Sequence, residues 1–289
     1  MTALRARPAA SPSTGPAKRR TGAPLPLALP LLVVVAGLLV WPMGTLAIRS
    51  FVGDDGGFTI QRYADVLTSA RYLRSFAVTS VLAVISTLLA LLLCIPAAVY
   101  LERAGTRFAR TVAVAMTIPL SLPGIVIGFF VILVFGTTGV VPVAIQQMTG
   151  SRALQIAYTF SGLLLGYLYF NIPRVVLVIR GAVAGTSVEA IDAARTLGAS
   201  PLRVYWSVVL PSLRPAIASA TALSLATAFG AFGTAATLSR GYRVVPLDIA
   251  AAFTERFQPE LAATLSLLLA IVTTTVLVGI GRLGEGKHR

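Results

Sequence analysis

Charge is scarce in this sequence: Asp, Glu, Lys and Arg make up 12% of its 289 residues, against about 25% in an average soluble domain. So little polar surface cannot cover a fold that sits in water. Cysteine is nearly absent. Cys94 stands alone inside an apolar run, forms no internal disulfide and excludes a secreted disulfide scaffold. The single histidine, His288, leaves no Cys/His metal cluster and no His-based triad, and no pattern calls for a cofactor. Lysine occurs twice, as Lys18 followed by Arg19 and as Lys287 followed by His288. Neither completes the G-x-x-x-x-G-K-[ST] loop that wraps a nucleotide phosphate, so the chain is no P-loop ATPase. What the sequence holds in abundance is apolar: 56% hydrophobic residues and a mean hydropathy of +0.84. That composition describes an integral membrane protein and excludes a soluble enzyme or a disordered regulator. The net charge of +14 does not point to nucleic acid, because the cations fall between apolar runs rather than on one stripe. The partner is the lipid bilayer.

A bilayer core of about 30 Å needs roughly 20 apolar residues per helix. Six stretches meet that length: Leu25 to Ile48, Ser75 to Val99, Thr111 to Phe135, Ala153 to Pro173, Ala216 to Leu238 and Leu261 to Gly281. None contains Asp, Glu, Lys or Arg. The fold class expected is all-α, a polytopic membrane protein of six helices. The first stretch follows Lys18-Arg19-Arg20 like a signal peptide, but it is far longer than a signal h-region and reads as a retained helix. Residues 1–24, rich in Pro, Ala, Ser and basic groups, read as a disordered cytoplasmic tail ahead of a membrane domain over 25–289.

With a cytoplasmic N-terminus, sixteen cations fall inside: Arg5, Arg7, Lys18, Arg19, Arg20, Arg103, Arg107, Arg110, Arg174, Arg180, Arg195, Arg203, Arg214, Arg282, Lys287 and Arg289. Eight remain outside. The positive-inside rule then places both termini in the cytoplasm. Arg49 to Arg74 lies outside, and its Phe58 to Leu67 stretch suits a short amphipathic surface helix. No internal repeat is visible.

The connection from Arg174 to Pro215 lies inside and carries the richest local signals. Thr186-Ser-Val-Glu189 fits a capping box, with Thr186 as the cap and Glu189 reaching back to a backbone N–H. A helix should follow through Leu197, with Val188, Ile191 and Ala194 on one face and Gly198 as its stop. Ser200 and Pro201 restart a helix as cap and first residue. That second helix carries Leu202, Tyr205, Trp206 and Val209 and should end at Leu210-Pro211. Two short helices at an angle make a protruding knob. On local physics alone the same residues also suit a hairpin lying on the membrane surface.

The segment Asp192-Ala-Ala-Arg-Thr-Leu-Gly198, with Val208-Val-Leu-Pro211 downstream, resembles the EAA signature of permease subunits of binding-protein-dependent ABC importers. That signature is E-A-A, three residues, G, nine residues, I-x-L-P. Ala193, Ala194, Gly198, Leu210 and Pro211 match it, while Asp192 replaces Glu and Val208 replaces Ile. Thr117 to Gly128, punctuated by Pro119 and Pro123, is similar to the third span of that family, and Tyr169-Phe-Asn-Ile-Pro173 to the approach to its loop. The likeness covers Gly57 to Arg282. It implies a multi-pass protein of the bacterial inner membrane that catalyses nothing itself. Its expected partners are two cytoplasmic ABC ATPase subunits, a second permease subunit (homologous or identical) and an extracytoplasmic solute-binding protein. Glu189, Asp192, Ala193, Ala194, Gly198, Ser200, Pro201, Leu210 and Pro211 would form the ATPase-coupling site.

Gly124/Gly128 and Gly162/Gly166 read as close helix contacts, with a backbone contact to substrate as the alternative. Pro96, Pro119, Pro123 and Pro173 either kink helices towards a pathway or only shape the bundle. Tyr167, Tyr169 and Asn171, with Tyr158, are candidates for the translocation path; tyrosines also serve as interface anchors. A proton- or ion-coupled secondary transporter is the alternative function, but it needs an acid or histidine within a span and none of the six stretches has one. The region Phe229 to Leu238, followed by Val244 to Ile249, resembles permeases of polyamine, opine and 2-aminoethylphosphonate importers. A polyamine-type solute is therefore the expected cargo, although a polycation would want acidic or aromatic contacts.

Overall fold

In the computed structural model, which describes residues 25–53, 56–151 and 153–285, helices supply all the regular structure apart from one isolated bridge, Val52 to Phe58. The tail expected over residues 1–24 lies outside the described residues. Residues 1–45 and 46–289 form separate units. Helix α1 (Leu25–Ser50) begins in the first, and everything else belongs to the second. Helix α2 (Gln61–Thr68) fulfils the expected surface helix, and Tyr63 Oη donates to Ser50 Oγ at 2.6 Å beside it.

Helix α3 (Ala70–Ala104) has 35 residues and outruns a hydrocarbon core of about 30 Å at 1.5 Å per residue. Its charges accordingly sit at its two ends, Arg71 and Arg74 at one and Glu102 and Arg103 at the other. Ala90, Cys94 and Ala98 are small enough to let α7 (Phe160–Ala184) approach, and they pack with Val175, Val176 and Ile179 in one buried cluster. Before α7 come α4 (Arg107–Ala115), α5 (Gly124–Phe135) and α6 (Val140–Thr149). After it come α8 (Val188–Thr196), α9 (Pro201–Val204), a π-turn (Tyr205–Val209), α10 (Leu210–Ser212) and α11 (Arg214–Phe229). The bundle closes with α12 (Phe232–Leu238), α13 (Val245–Thr254) and α14 (Pro259–Glu285). Among the described residues, five helical stretches are long and apolar enough to cross a bilayer, or six if the pair bent by 66° at Leu213 is one span.

Three of the expected spans need correction. Thr111 to Phe135 is broken, because Pro119 and Pro123 lack the N–H that a helix interior needs and Pro123 drives Leu122 into extended backbone. The apolar stretch that suits a bilayer there is Gly124–Thr149. Ala153 to Pro173 gives way to Phe160–Ala184, so Arg174 and Arg180 lie within the helix rather than in the following loop. Ala216 to Leu238 is interrupted at Gly230-Ala231.

Gly124, at the first of those breaks, and Gly166, within α7, leave room for Thr234. A Cβ on Gly124 would meet Thr234 Oγ1 at 3.0 Å, and one on Gly166 would meet Thr234 Cγ2 at 2.6 Å. Thr234 therefore sits between α5 and α7, and its hydroxyl donates to Gly124 O at 3.1 Å. Only the absence of side chains lets the three segments close on one another.

Candidate functional site

Helix α7 stops at Ala184, with Gly185 as its cap, so the loop begins eleven residues later than Arg174. Thr186 is not the cap of α8: its hydroxyl turns back to donate to Ala182 O at 3.3 Å. Ser187 takes that role, accepting from the Ala190 N–H at 3.1 Å. The Ser187 hydroxyl in turn donates to Glu189 Oε2 at 2.7 Å. That bond, with Glu189's own backbone N–H, holds the Glu189 carboxyl below the usual carboxylate range.

At the far end of α8, Gly198 N–H donates to Arg195 O at 2.9 Å and Ala199 N–H to Ala194 O at 3.1 Å. These two bonds are a Schellman motif, which places its glycine in the left-handed region; φ of Gly198 is 82°. Ser200 Oγ then accepts from Arg203 N–H at 3.4 Å, with Pro201 in the first turn of α9 as expected. The helix does not end at Leu210-Pro211. Leu210 N–H reaches Tyr205 O to close the π-turn, and the chain stays helical through Ser212 before the bend at Leu213. Pro211 has no N–H to donate, so a wider turn ahead of it passes the ladder along.

Ile191 joins Val204, Val209 and Leu213 in a buried cluster with Val99 and Val183, near the ends of α3 and α7. Ala194 is packed against it, Ala193 is exposed, and Asp192 is exposed with Arg195 at 3.7 Å. Val188, expected on the packed face, is 63% exposed. With Leu197 at 88%, Leu202 at 69% and Trp206 at 61% it leaves four large apolar side chains uncovered on the α8–α9 segment. A knob cemented beneath and greasy outside is built to be covered. Leu210 and Pro211 are half-buried at its base.

Two charged arrangements were not foreseen. Arg180 on α7 donates to Glu102 Oε2 on α3 through Nη2 at 2.7 Å and Nε at 3.0 Å, tying together the helices that lead into the knob. Near the opposite end of α3, Asp248 is 4% exposed and accepts from Ser75 Oγ at 2.5 Å, Arg71 Nη2 at 3.2 Å and Arg243 Nη1 at 3.5 Å. Its only sequence signal was an acid inside the apolar Val244–Ile249 stretch. The translocation candidates lie inside the bundle. Tyr167 is buried and donates to Ala231 O at 3.2 Å, and Asn171 is buried and donates to Ser86 Oγ at 3.3 Å. Tyr169 is half-buried against the core and joins neither bond.

Residues 94–281 match the family model described as binding-protein-dependent transport system inner membrane component. A molybdenum transport system permease protein, ModB, of Mycobacterium bovis is 33% identical over 203 residues, covering 68% of this chain and 74% of that protein. The sulfate transport system permease protein CysW of Synechococcus elongatus is 25% identical over 260 residues, covering 88% of this chain and 87% of its own. Among solved structures, a bacterial ABC transporter that imports the polysaccharide alginate matches with a TM-score of 0.77 at 14% identity, over 92% of this chain and 96% of that one. The MetNI methionine ABC transporter matches with a TM-score of 0.58 at 19% identity, over 75% and 96%. These likenesses share the fold. The polyamine branch finds no support, because the relatives named here are permeases for molybdenum and sulfate. A chain of broken apolar helices carrying a capped external knob, matched over most of its length, belongs to the inner-membrane components of binding-protein-dependent transport systems.

Proposed function

We propose that this chain is the membrane-spanning subunit of an importer for a small tetrahedral oxyanion of the molybdate or sulfate type. The single observation that carries the substrate class is the identity of the relatives, molybdenum and sulfate permeases. Transport is driven from outside the chain. Glu189, Asp192, Ala193, Ala194, Gly198, Ser200, Pro201, Leu210 and Pro211 shape or support a knob whose apolar tip is taken as the seat of a separate ATPase subunit. Two such ATPases, a second permease subunit and a solute-binding protein complete the working assembly. The ion-coupled alternative wants a free acid at membrane depth. The buried acid among the described residues, Asp248, is already held by two arginines and a serine.

The test is ATP-driven uptake in proteoliposomes that contain this chain, its second permease subunit, its ATPase and its binding protein. Labelled molybdate or sulfate should accumulate and labelled spermidine should not. Accumulation of spermidine without either oxyanion would reverse the substrate assignment. ATP hydrolysis by the purified chain alone would remove the division of labour.

A further inference from the structure

Helix α7 carries a cation for which the described residues supply no counter-charge. Arg174 lies ten residues before Ala184, about 15 Å in from that end of the span at 1.5 Å per residue. Its guanidinium rests 5.5 Å from the centre of the Phe170 ring, and its Nη1 is buried without a hydrogen-bond partner. No carboxylate stands within salt-bridge range of it among the described residues. The contrast with its neighbours is direct. Arg180, six positions on, has Glu102 at 2.7 Å, while Arg71 and Arg243 share Asp248. An arginine at membrane depth is costly, and one left unpaired faces a water-filled space or a charged passenger.

Such a space is present. Arg174 and Phe170 line a cavity of about 280 Å³ with Ile127, Thr227, Gly230 and Thr234. Its walls include two backbone breaks, at Leu122 to Gly124 and at Gly230-Ala231. Backbone that leaves the helical ladder at this depth is tolerated where protein or a hydrated cavity surrounds it. A single water needs roughly 10 to 15 Å³ of such space, so the cavity has room for a small anion with part of its shell. The planar guanidinium fork matches two oxygens of a tetrahedral oxyanion.

We propose that Arg174 forms a transit site for a divalent tetrahedral oxyanion in this cavity between α5, α7 and the α11–α12 break. The proposal rests on the oxyanion reading above and adds the residue that would hold the cargo at mid-membrane. Phe170 keeps the guanidinium in place from one side, and Arg174 lines the cavity.

The experiment compares molybdate uptake by assembled importers holding Arg174, Arg174→Lys or Arg174→Met, at matched recovery of the complex. Arg174→Met should lower uptake at least about tenfold, the loss expected when a charge-assisted hydrogen bond to the cargo disappears, and Arg174→Lys, which keeps the charge but not the planar fork, should fall between the parent and Arg174→Met. Uptake by Arg174→Met within threefold of the parent would overturn the site. If the parent complex moves no oxyanion, the functional reading falls with it; if the parent moves oxyanion and Arg174→Met does too, the site alone falls. A second measurement keeps Arg174 intact, should its variants fail to assemble. Thiol labelling of Thr227→Cys should slow about threefold in millimolar molybdate and not in chloride, as expected for an occupied cavity. Labelling indifferent to molybdate would overturn the site, and is the result expected if a carboxylate of the second permease subunit neutralises Arg174 instead.

Discussion

At Gly198 nothing lies within 4 Å of the place a Cβ would occupy, so a side chain there meets no neighbour. The constraint is torsional: φ of 82° strains a β-branched residue by about 1 to 3 kcal/mol. Gly198→Val should therefore swing the α9 segment and reduce co-purification of the ATPase, while Gly198→Asn, which tolerates the left-handed region, should retain most of it. Equal recovery with all three side chains at matched membrane abundance would mean that the α8–α9 angle does not govern docking. Ser187 permits a second test at this scale. Ser187→Ala removes the cap and should weaken α8 by about 1 kcal/mol, read as faster amide exchange at Ala190. The carboxyl of Glu189 has its affinity for protons lowered by folding, so its contribution is fully present above the ordinary carboxylate range and is lost as pH falls through the lowered value. ATPase recovery should thus be flat from about pH 8 to pH 6, and a decline in that window would point to another group. Gly198 was legible in the sequence because a glycine behind a helical run has one common use. The choice of Ser187 over Thr186 was not, since adjacent hydroxyls offer the same chemistry and only the end of α7 at Ala184 decides which one faces α8.

Helices α3 and α7 carry the load between the bundle and the knob, and Arg180 with Glu102 fixes their relative height. The two side chains are part-exposed, at 23% and 27%, which screens the pair and keeps its worth near that of a good surface bridge, about 1 kcal/mol. Glu102→Gln and Arg180→Met should each lower the melting temperature of the detergent-solubilised chain. In the double variant the losses should fall short of adding by about that amount. Strict additivity would show that the contact is not energetically coupled. The presence of helices was readable from apolar length, and α1, α3 and α14 fall where the runs of Leu, Val and Ala put them. Their interruptions were only half readable. Pro119 and Pro123 announced a break that the hydropathy of Thr111 to Phe135 concealed, while Pro173 announced one that never came, because α7 continues through it to Ala184. The π-turn at Tyr205–Val209 follows from how Pro211 and the bend at Leu213 share hydrogen bonds, which no periodicity encodes.

Across the whole molecule, the charged ends of α3 define a direction. Arg71 meets Asp248 and Arg243 at one end, and Glu102 meets Arg180 beside the knob at the other. By the positive-inside rule, the sixteen-to-eight bias of cations assigned from the sequence would put the knob in the cytoplasm, the orientation that thiol labelling tests. Moving Arg174 and Arg180 from loop into α7 removes two of the sixteen cations from that side and leaves fourteen against eight, so the bias stands. The Asp248 cluster then faces the opposite compartment, where a binding protein would dock. Cys94 is buried and is the chain's sole cysteine, so introduced thiols can be read against a silent background. Ser187→Cys on the knob should react with a membrane-impermeant maleimide only after the cells are opened. Glu255→Cys, an exposed position just past α13, should react in intact spheroplasts. The two sites lie beyond opposite ends of α3, which exceeds the bilayer core in length, so one inversion of topology would exchange both results. Labelling of Ser187→Cys from outside intact spheroplasts would place the knob away from any cytoplasmic ATPase and end the coupling assignment.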